Sequence, residues 1–244
     1  MAFLLGENIS KKFGGLTALH HIDFQIDSGE IVGLIGPNGA GKTTLFNIIS
    51  GMYSPTSGKI YFEGDEITGL KPHLICRRGL ARTFQIVRPF LNMTVLENVM
   101  VGSFFGGAQI KSKAKAEGEA LDILKFVGLQ EKIHLPAKGL TSADRKRLEL
   151  AKSLATKPRM LLLDEVLAGL TPTEISRAMA LIEAIRRDLG ITILIVEHVM
   201  KAIIGLSDRI IVLQYGEKIA EGKADEVAKN PTVIEAYLGE EIQA

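Results

Sequence analysis

The chain has 244 residues, of which 46% are hydrophobic and 23% are charged, a composition that predicts a folded protein with a sizeable core rather than a disordered chain. It carries 29 Lys and Arg residues against 28 Asp and Glu, and the resulting formal charge of +1 disfavours general electrostatic binding to nucleic acid. The mean hydropathy of +0.20 is high, yet no apolar run approaches the roughly 20 residues that a membrane-spanning helix needs.

Cysteine and histidine contents argue against a metal cluster. Cys76 is the single cysteine, so the sequence allows no internal disulfide and no cysteine metal cluster. The five histidines are scattered and form no spaced metal-ligand pattern. Because Met1–Ser10 lacks the basic start and apolar stretch of a secretory signal, we expect a cytosolic α/β protein.

The first part of the chain alternates strand and helix patterns. Apolar and polar residues alternate over His21–Asp27, which predicts a half-buried strand. The apolar run Ile31–Ile35 predicts a buried strand, followed by a glycine-rich loop and a helix from about Lys42 to Ser50. A short strand at Gly58–Phe62 and a short helix at Pro72–Gly79 are expected next.

The middle of the chain is predicted to be mostly helical. The proline-containing stretch Thr83–Asn92 indicates irregular structure. A helix is expected at Thr94–Gly102, whose first residues have the spacing of a capping box, and a glycine-punctuated bend at Gly102–Gly107. Two longer amphipathic helices are expected at Lys111–Val127 and Thr141–Thr156.

The last part returns to alternating strands and helices. The apolar runs Met160–Leu163, Ile191–Val196 and Ile210–Leu213 have strand length and predict parallel strands that are buried on both faces. The other elements expected here are helices at Thr173–Leu189, His198–Leu206, Ala224–Ala228 and Thr232–Leu238, and strands at Arg209–Gln214 and Lys218–Glu221. The pattern therefore predicts a parallel α/β core with a helical insertion at about residues 88–158.

The sequence Gly36–Thr43, GPNGAGKT, matches the phosphate-loop pattern G-x-x-x-x-G-K-[ST] between an apolar strand and a helix. Glycines let backbone N–H groups surround phosphate oxygens, and the helix N-terminus adds a positive dipole end. Lys42 is expected to reach the β and γ phosphates, and the Thr43 hydroxyl to bind Mg²⁺. Nucleotide contacts are predicted for Gly36, Pro37, Asn38, Gly39, Ala40, Gly41, Lys42, Thr43 and Thr44.

Four polar residues outside this loop are candidate catalytic or metal-binding groups. Asp164 follows the strand Met160–Leu163, where open α/β sheets bind their ligands, and is expected to hold Mg²⁺ through water. Glu165 is placed to orient and polarise an attacking water. His198 follows another apolar strand and is a candidate donor to the γ phosphate. Gln85 is a candidate contact to Mg²⁺ or to the attacking water.

Together these motifs resemble the ATP-binding subunit of an ABC transporter, over essentially the whole chain. Gly36–Thr43 matches the Walker A loop, and Met160–Glu165 the Walker B strand with its catalytic glutamate. Gln85 matches the Q-loop glutamine, and His198 the switch histidine. The resemblance places Phe13 where the family has the aromatic ring that stacks on adenine, although Phe13 is also compatible with a core position.

The resemblance implies a single ABC ATPase domain with an α/β fold. It consists of a RecA-like P-loop NTPase core, an antiparallel β layer and an inserted helical subdomain. Core and β layer are expected at residues 1–87 and 159–244, and the helical subdomain at about residues 88–158. ATP and Mg²⁺ are the implied cofactors, and two such domains are expected to dimerise head to tail around them.

The signature loop departs from the family pattern L-S-G-G-Q, since Leu140–Asp144 reads L-T-S-A-D. Thr141, Ser142 and Ala143 occupy the positions that contact the ATP of the partner subunit in the family. Thr141 keeps a hydroxyl, but the Cβ atoms of Ser142 and Ala143 crowd a place where backbone approaches phosphate. Weakened hydrolysis at the partner's ATP and tolerance of these small side chains both remain open.

A narrower resemblance is to the ATPases for branched-chain amino acid uptake. It is carried by Gly36–Ser50, Gly79–Gln85, Ala168–Pro172 and Ala236–Glu240. It implies transmembrane permease subunits, a second ATPase subunit and, indirectly, a substrate-binding protein as partners, no nucleic acid, and a location on the inner face of the cell membrane. A permease helix is expected to contact the apolar residues within Gln85–Leu91.

Other functions fit the same motifs. The chain is also similar to the lipopolysaccharide-export ATPase, and the altered signature suggests an ATP-binding regulatory partner with weak hydrolysis. A soluble ABC-type ATPase acting on DNA or ribosomes is disfavoured, because the stretch between Gln85 and Asp164 is too short for a coiled coil and one Walker A loop occurs. A heterodimer is favoured over a homodimer, and the transported substrate stays open.

Overall fold

The N-terminal part of the chain forms an antiparallel sheet in the computed structural model, which describes residues 2–107 and 109–241. This sheet has four strands in the order β2-β1-β4-β5. The strands are β1 (Leu4–Phe13), β2 (Leu16–Ile26), β4 (Ser57–Phe62) and β5 (Asp65–Glu66). Strand β1 pairs with both β2 and β4 and is therefore the centre of this layer.

The second sheet has six strands in the order β10-β9-β3-β8-β7-β6. The strands are β3 (Ile31–Ile35), β6 (Leu80–Arg82), β7 (Met160–Asp164), β8 (Thr192–Val196), β9 (Arg209–Gln214) and β10 (Glu217–Lys223). Strands β6, β7, β8, β3 and β9 pair in parallel, and β10 adds an antiparallel edge. Every residue of β3, β7 and β8 is buried, which confirms the prediction of parallel strands covered on both faces.

Helices pack against both faces of the parallel sheet. They are α1 (Lys42–Ile49), α2 (Pro72–Arg77), α3 (Val95–Phe105), α4 (Lys113–Phe126), α5 (Ser142–Ala155), α6 (Pro172–Leu189), α7 (Met200–Leu206), α8 (Ala224–Val227) and α9 (Pro231–Glu241). Helices α3, α4 and α5 follow one another between β6 and β7, and their N-termini are capped by Thr94, Ser112 and Thr141, whose side chains accept a backbone N–H three residues on. Within the described ranges, no helix combines the length and apolar character that crossing a bilayer requires.

The parallel sheet divides the apolar core into two clusters. In β7, Leu161 and Leu163 belong to a cluster with helices α3 to α7, whereas Met160 and Leu162 join a cluster with α1 and the antiparallel sheet. This alternation follows from the two-residue period of a strand. The molecule is therefore layered, with the parallel sheet between the antiparallel layer and most of the helices.

Several boundaries differ from the sequence predictions. Strand β1 was not predicted, because register shifts along its pairings and a positive φ at Asn8 break the alternating pattern. Strand β6 was also missed, since three residues are too few to show a period. Strand β10 is longer than Lys218–Glu221, and the helix predicted from His198 begins at Met200.

The bend predicted at Gly102–Gly107 begins later than expected, at Gly106, because helix α3 continues to Phe105. Gly102 lies against helix α5, and a Cβ atom at this position would come within 2.5 Å of the Lys152 carbonyl oxygen and 2.8 Å of Ala155 Cβ. The glycine therefore lets two helices approach closely and does not end the first one.

We expect Gly102→Ala to lower the free energy of unfolding by about 1–3 kcal/mol, because the added methyl group overlaps the backbone of α5. Gly118→Ala is the matched control. Gly118 lies in α4, a Cβ atom there meets nothing within 4 Å, and the substitution is expected to stabilise by about 0.4–1 kcal/mol. Denaturant unfolding of both variants checks this, and equal effects would contradict the close approach of α3 and α5.

Candidate nucleotide-binding site

Three adjacent parallel strands bring the predicted site residues to one edge of the sheet. Strand β8 lies between β3 and β7, so the carboxyl ends of all three strands lie side by side. The loop Gly36–Gly41 follows β3, Asp164 ends β7, and His198 follows β8. The topology thus gathers motifs that are far apart in sequence.

The phosphate loop depends on backbone conformations that favour glycine. Gly39 and Gly41 have φ values of +74° and +102°, in the left-handed region. A Cβ atom at Gly36 would overlap the Leu213 carbonyl oxygen of the neighbouring strand. The Lys42 side chain curls into the loop, where its ammonium donates to the carbonyls of Gly36 at 2.5 Å and Pro37 at 2.8 Å. The first turn of α1 follows directly and directs its N–H groups at the loop.

A cavity of about 530 Å³ opens beside this loop. It is lined by Phe13, Leu16, Thr17, Ala18, Asn38, Gly39, Ala40, Gly41, Lys42, Thr43, Thr44, Glu165, His198 and Tyr215. Phe13 is 42% exposed at the cavity and contacts Tyr53 edge to face, so it is not a core residue. Tyr215 was not among the sequence candidates, since its turn carries no nucleotide motif.

Asp164 is buried and paired with a cation. Its Oδ2 accepts a hydrogen bond from Arg82 at 2.7 Å, and both side chains are less than a tenth exposed. Arg82 also donates to Asn47 in α1 at 2.7 Å and to Ser50 at 3.0 Å. The guanidinium therefore ties the helix of the phosphate loop to the end of β7. Sequence analysis missed Arg82, although it lies three residues before Gln85.

A second cavity, of about 490 Å³, contains the three predicted metal ligands. Its lining residues are Thr43, Arg82, Phe84, Gln85, Ile86, Arg88, Glu149, Lys152 and Asp164. Thr43, Gln85 and Asp164 thus line one cavity beside the phosphate loop and the end of β7.

Glu165 connects the two remaining catalytic candidates. Gln85 Nε2 donates to Glu165 Oε2 at 2.6 Å, and His198 Nε2 lies 3.0 Å from Glu165 Oε1. The Glu165 backbone has a φ of +50°, a left-handed conformation that costs an L-residue about 1–2 kcal/mol. Such strain is found at functional sites, where the surrounding structure holds the residue in place.

Two further ionisable residues, Glu197 and Lys146, lie close to Glu165, and sequence analysis missed both. Glu197 is buried, and its Oε1 accepts the Leu167 N–H at 2.6 Å. Burial raises the pKa of Glu197 to about 7, and the nearby Glu165 charge adds to this effect, against the Leu167 N–H and the Lys146 ammonium. Burial lowers the pKa of Lys146, while the charges of Glu197 and Glu165 oppose that change.

The signature residues lie outside the 530 Å³ cavity, at the N-terminus of α5. Thr141 is the N-cap, and its hydroxyl both accepts the Asp144 N–H and donates to the Asp144 carboxylate. Burial alone would raise the pKa of Asp144, but the Lys132 ammonium, the Thr141 hydroxyl and Arg147 hold it below its ordinary value. Ser142 is exposed and Ala143 half-buried.

Two family models match parts of the chain. The family model "ABC transporter" matches residues 19–168, and the model "Branched-chain amino acid ATP-binding cassette transporter" matches residues 217–242. The chain is 43% identical over 241 residues to the high-affinity branched-chain amino acid transport ATP-binding protein LivG of Escherichia coli K12, covering 94% of each chain.

Solved structures show the same fold. The chain superimposes on an ATP-binding cassette of an ABC transporter in its ADP conformation with a TM-score of 0.88 and 32% identity, covering 98% of this chain and 99% of the other. A dimeric bacterial ABC transporter cassette gives a TM-score of 0.81 with 27% identity, covering 91% and 98%. The chain therefore belongs to the ATP-binding cassette family of ABC transporters, whose P-loop fold binds and hydrolyses ATP.

Proposed function

We propose that the two cavities together hold MgATP and that the residues around Glu165 hydrolyse it. This proposal rests on one observation. The phosphate loop, Asp164 and the Glu165–His198 pair all lie along one sheet edge. The phosphates would lie on the loop residues Gly36 to Thr44, with Lys42 released from the loop carbonyls onto the β and γ phosphates. The exposed ring of Phe13 would stack on adenine.

The residues beside the loop fit a magnesium ion. Mg²⁺ takes oxygen ligands and usually keeps waters and substrate phosphates in its shell, so one carboxylate with a hydroxyl and an amide suffices. Asp164, Thr43 and Gln85 would hold it. When bound, Mg²⁺ neutralises charge on the transferred phosphoryl group.

Hydrolysis would follow from the contacts of Glu165. Its carboxylate would accept a hydrogen bond from the attacking water and so orient that water in line with the leaving phosphate oxygen. Gln85 and His198 hold one carboxylate oxygen each, which restricts the rotamer of Glu165. With nucleotide bound, His198 would turn its donor to a γ-phosphate oxygen and stabilise the charge there.

We expect Glu165→Gln to lower ATP hydrolysis by about 100-fold or more while ATP affinity changes little, because the amide keeps the shape but loses the basic oxygen. Glu66→Gln, which removes an exposed ion pair with Lys59, is the control. Phosphate release and equilibrium ATP binding measure the two effects. Turnover within tenfold of the wild type would contradict the assigned role.

A second ATPase subunit would complete each site. The dimeric structure of a related cassette supports this arrangement, and the signature residues Thr141, Ser142 and Ala143 would then face the partner's ATP. Because Thr141 and Asp144 already bond to each other and the two glycines of the family pattern are missing, this signature is the weaker half of a composite site. We therefore favour pairing with a different ATPase whose signature contains the glycines.

We further propose that the chain drives import of branched-chain or related amino acids. The names of its relatives and the family model at residues 217–242 support this over export of a lipid. Permease subunits would hold the chain at the inner face of the membrane, and a substrate-binding protein would deliver the amino acid. No contact with nucleic acid is proposed, in line with the balanced charge.

An apolar groove offers the place for the permease. A cavity of about 360 Å³ lies between the core and α3, with Met52, Phe84 and Phe105 exposed around it. Phe90 and Leu91 add exposed apolar surface on the segment after Gln85. Apolar side chains grouped in this way are typical of protein interaction sites.

We expect Phe90→Asp to abolish transport by the assembled transporter and to leave ATP binding by the isolated subunit unchanged, because the charge would be buried against an apolar helix. Phe90→Leu, which keeps an apolar side chain, is expected to transport. Amino acid uptake into proteoliposomes and ATP titration measure the two properties. Equal loss of uptake and ATP binding, or normal uptake by Phe90→Asp, would contradict docking at the exposed apolar surface that includes Phe90.

A further inference from the structure

One lysine of helix α5 contacts the backbone on which Glu165 sits. Lys146 is half-buried, one turn beyond the signature residues. Its ammonium donates to the carbonyls of Glu165 at 3.3 Å and Val166 at 3.1 Å, and also to the carbonyl of Ala168. The cation is thus directed at three carbonyls of a single turn, which a lysine serving only solubility would not do.

This turn needs external support. Glu165 has the left-handed backbone described above, and its N–H is held by the Val196 carbonyl at 2.9 Å. Two residues on, the Leu167 N–H bonds to the buried carboxyl of Glu197. The end of strand β8 and the residue after it therefore hold two N–H groups of the turn, while Lys146 holds three of its carbonyls.

We propose that Lys146 is a positioning residue for Glu165, which fixes the turn after β7 and thereby directs the Glu165 carboxylate at the attacking water. This inference rests on the proposed role of Glu165. It also joins two functions in one helix, because α5 carries the signature at its N-terminus and Lys146 one turn later. A movement of α5 would therefore change the direction of the Glu165 carboxylate in the same subunit.

The charged groups around the ammonium agree with this role. Glu197 and Glu165 lie close enough to favour its charged form. The side chains of Arg145 and Arg147 on the same helix turn have other partners, the Lys138 carbonyl and Asp144 respectively. Within residues 2–107 and 109–241, Lys146 is the lysine that contacts the carbonyls of Glu165, Val166 and Ala168.

The test compares Lys146→Met, which keeps the stem and removes the donor, with Lys146→Arg, which keeps a cation and several N–H groups. Lys157→Met is the matched control, since Lys157 lies just beyond the end of α5 and pairs with Glu119 at 2.7 Å. For each variant, kcat and the Kd for ATP are measured. Single-turnover hydrolysis is then measured for Glu165→Gln with and without Lys146→Met.

We expect Lys146→Met to lower kcat about tenfold with the Kd for ATP unchanged, and Lys146→Arg to recover most of the activity. In the Glu165→Gln background, Lys146→Met should cause no further loss, because both act through one carboxylate. The inference is overturned by a kcat for Lys146→Met equal to that of Lys157→Met, by a parallel loss of ATP affinity, by failure of Lys146→Arg to recover activity, or by an additive loss in the double variant.

If Glu165→Gln alone turns over like the wild type, the assigned role of Glu165 fails, and the inference about Lys146 fails with it. If Glu165→Gln is slow while Lys146→Met is normal, the inference about Lys146 fails alone.

Discussion

The chemistry of this protein depends on the parallel pairing of β3, β8 and β7. Each strand ends at the same sheet edge, and each delivers a different group there: the phosphate loop, His198, and Asp164 with Glu165. A shift of one residue in either pairing would turn a buried strand and move its terminal residue away from the site. Apolar side chains on both faces of the sheet hold the register, so the core that stabilises the fold also sets the distances at the site.

Charged side chains beside this edge have specific bonding partners. Asp164 and Arg82 neutralise each other, and removing one member of such a buried pair costs about 3–5 kcal/mol. Lys146 and Glu197 instead bond to backbone groups of the next turn, Lys146 to carbonyls and Glu197 to the Leu167 N–H. The residues that we propose for catalysis are thus surrounded by residues that orient them, and those orienting residues link the phosphate loop, the signature helix and the segment around Gln85.

Local sequence patterns predicted the proposed binding and catalytic residues better than the residues that position them. The phosphate loop was predictable because its glycines and lysine act through neighbouring backbone, so the motif is contiguous in sequence. Asp164, Glu165 and His198 follow apolar strands, and that position was also visible. Arg82, Lys146 and Glu197 were missed, since each gains its role from a segment distant along the chain. The predicted start of the bend at Gly102 was wrong for the same reason, since Gly102 serves the close packing against α5, which no local pattern shows.

We propose that one edge of the sheet binds the phosphates of ATP through the loop after β3. Titration of wild type and Lys42→Met with ATP and with AMP tests it most directly, because Lys42 is assigned to the β and γ phosphates that AMP lacks. The variant is expected to lose about tenfold or more in ATP affinity and to bind AMP as the wild type does. Equal ATP affinities of the two proteins would contradict it.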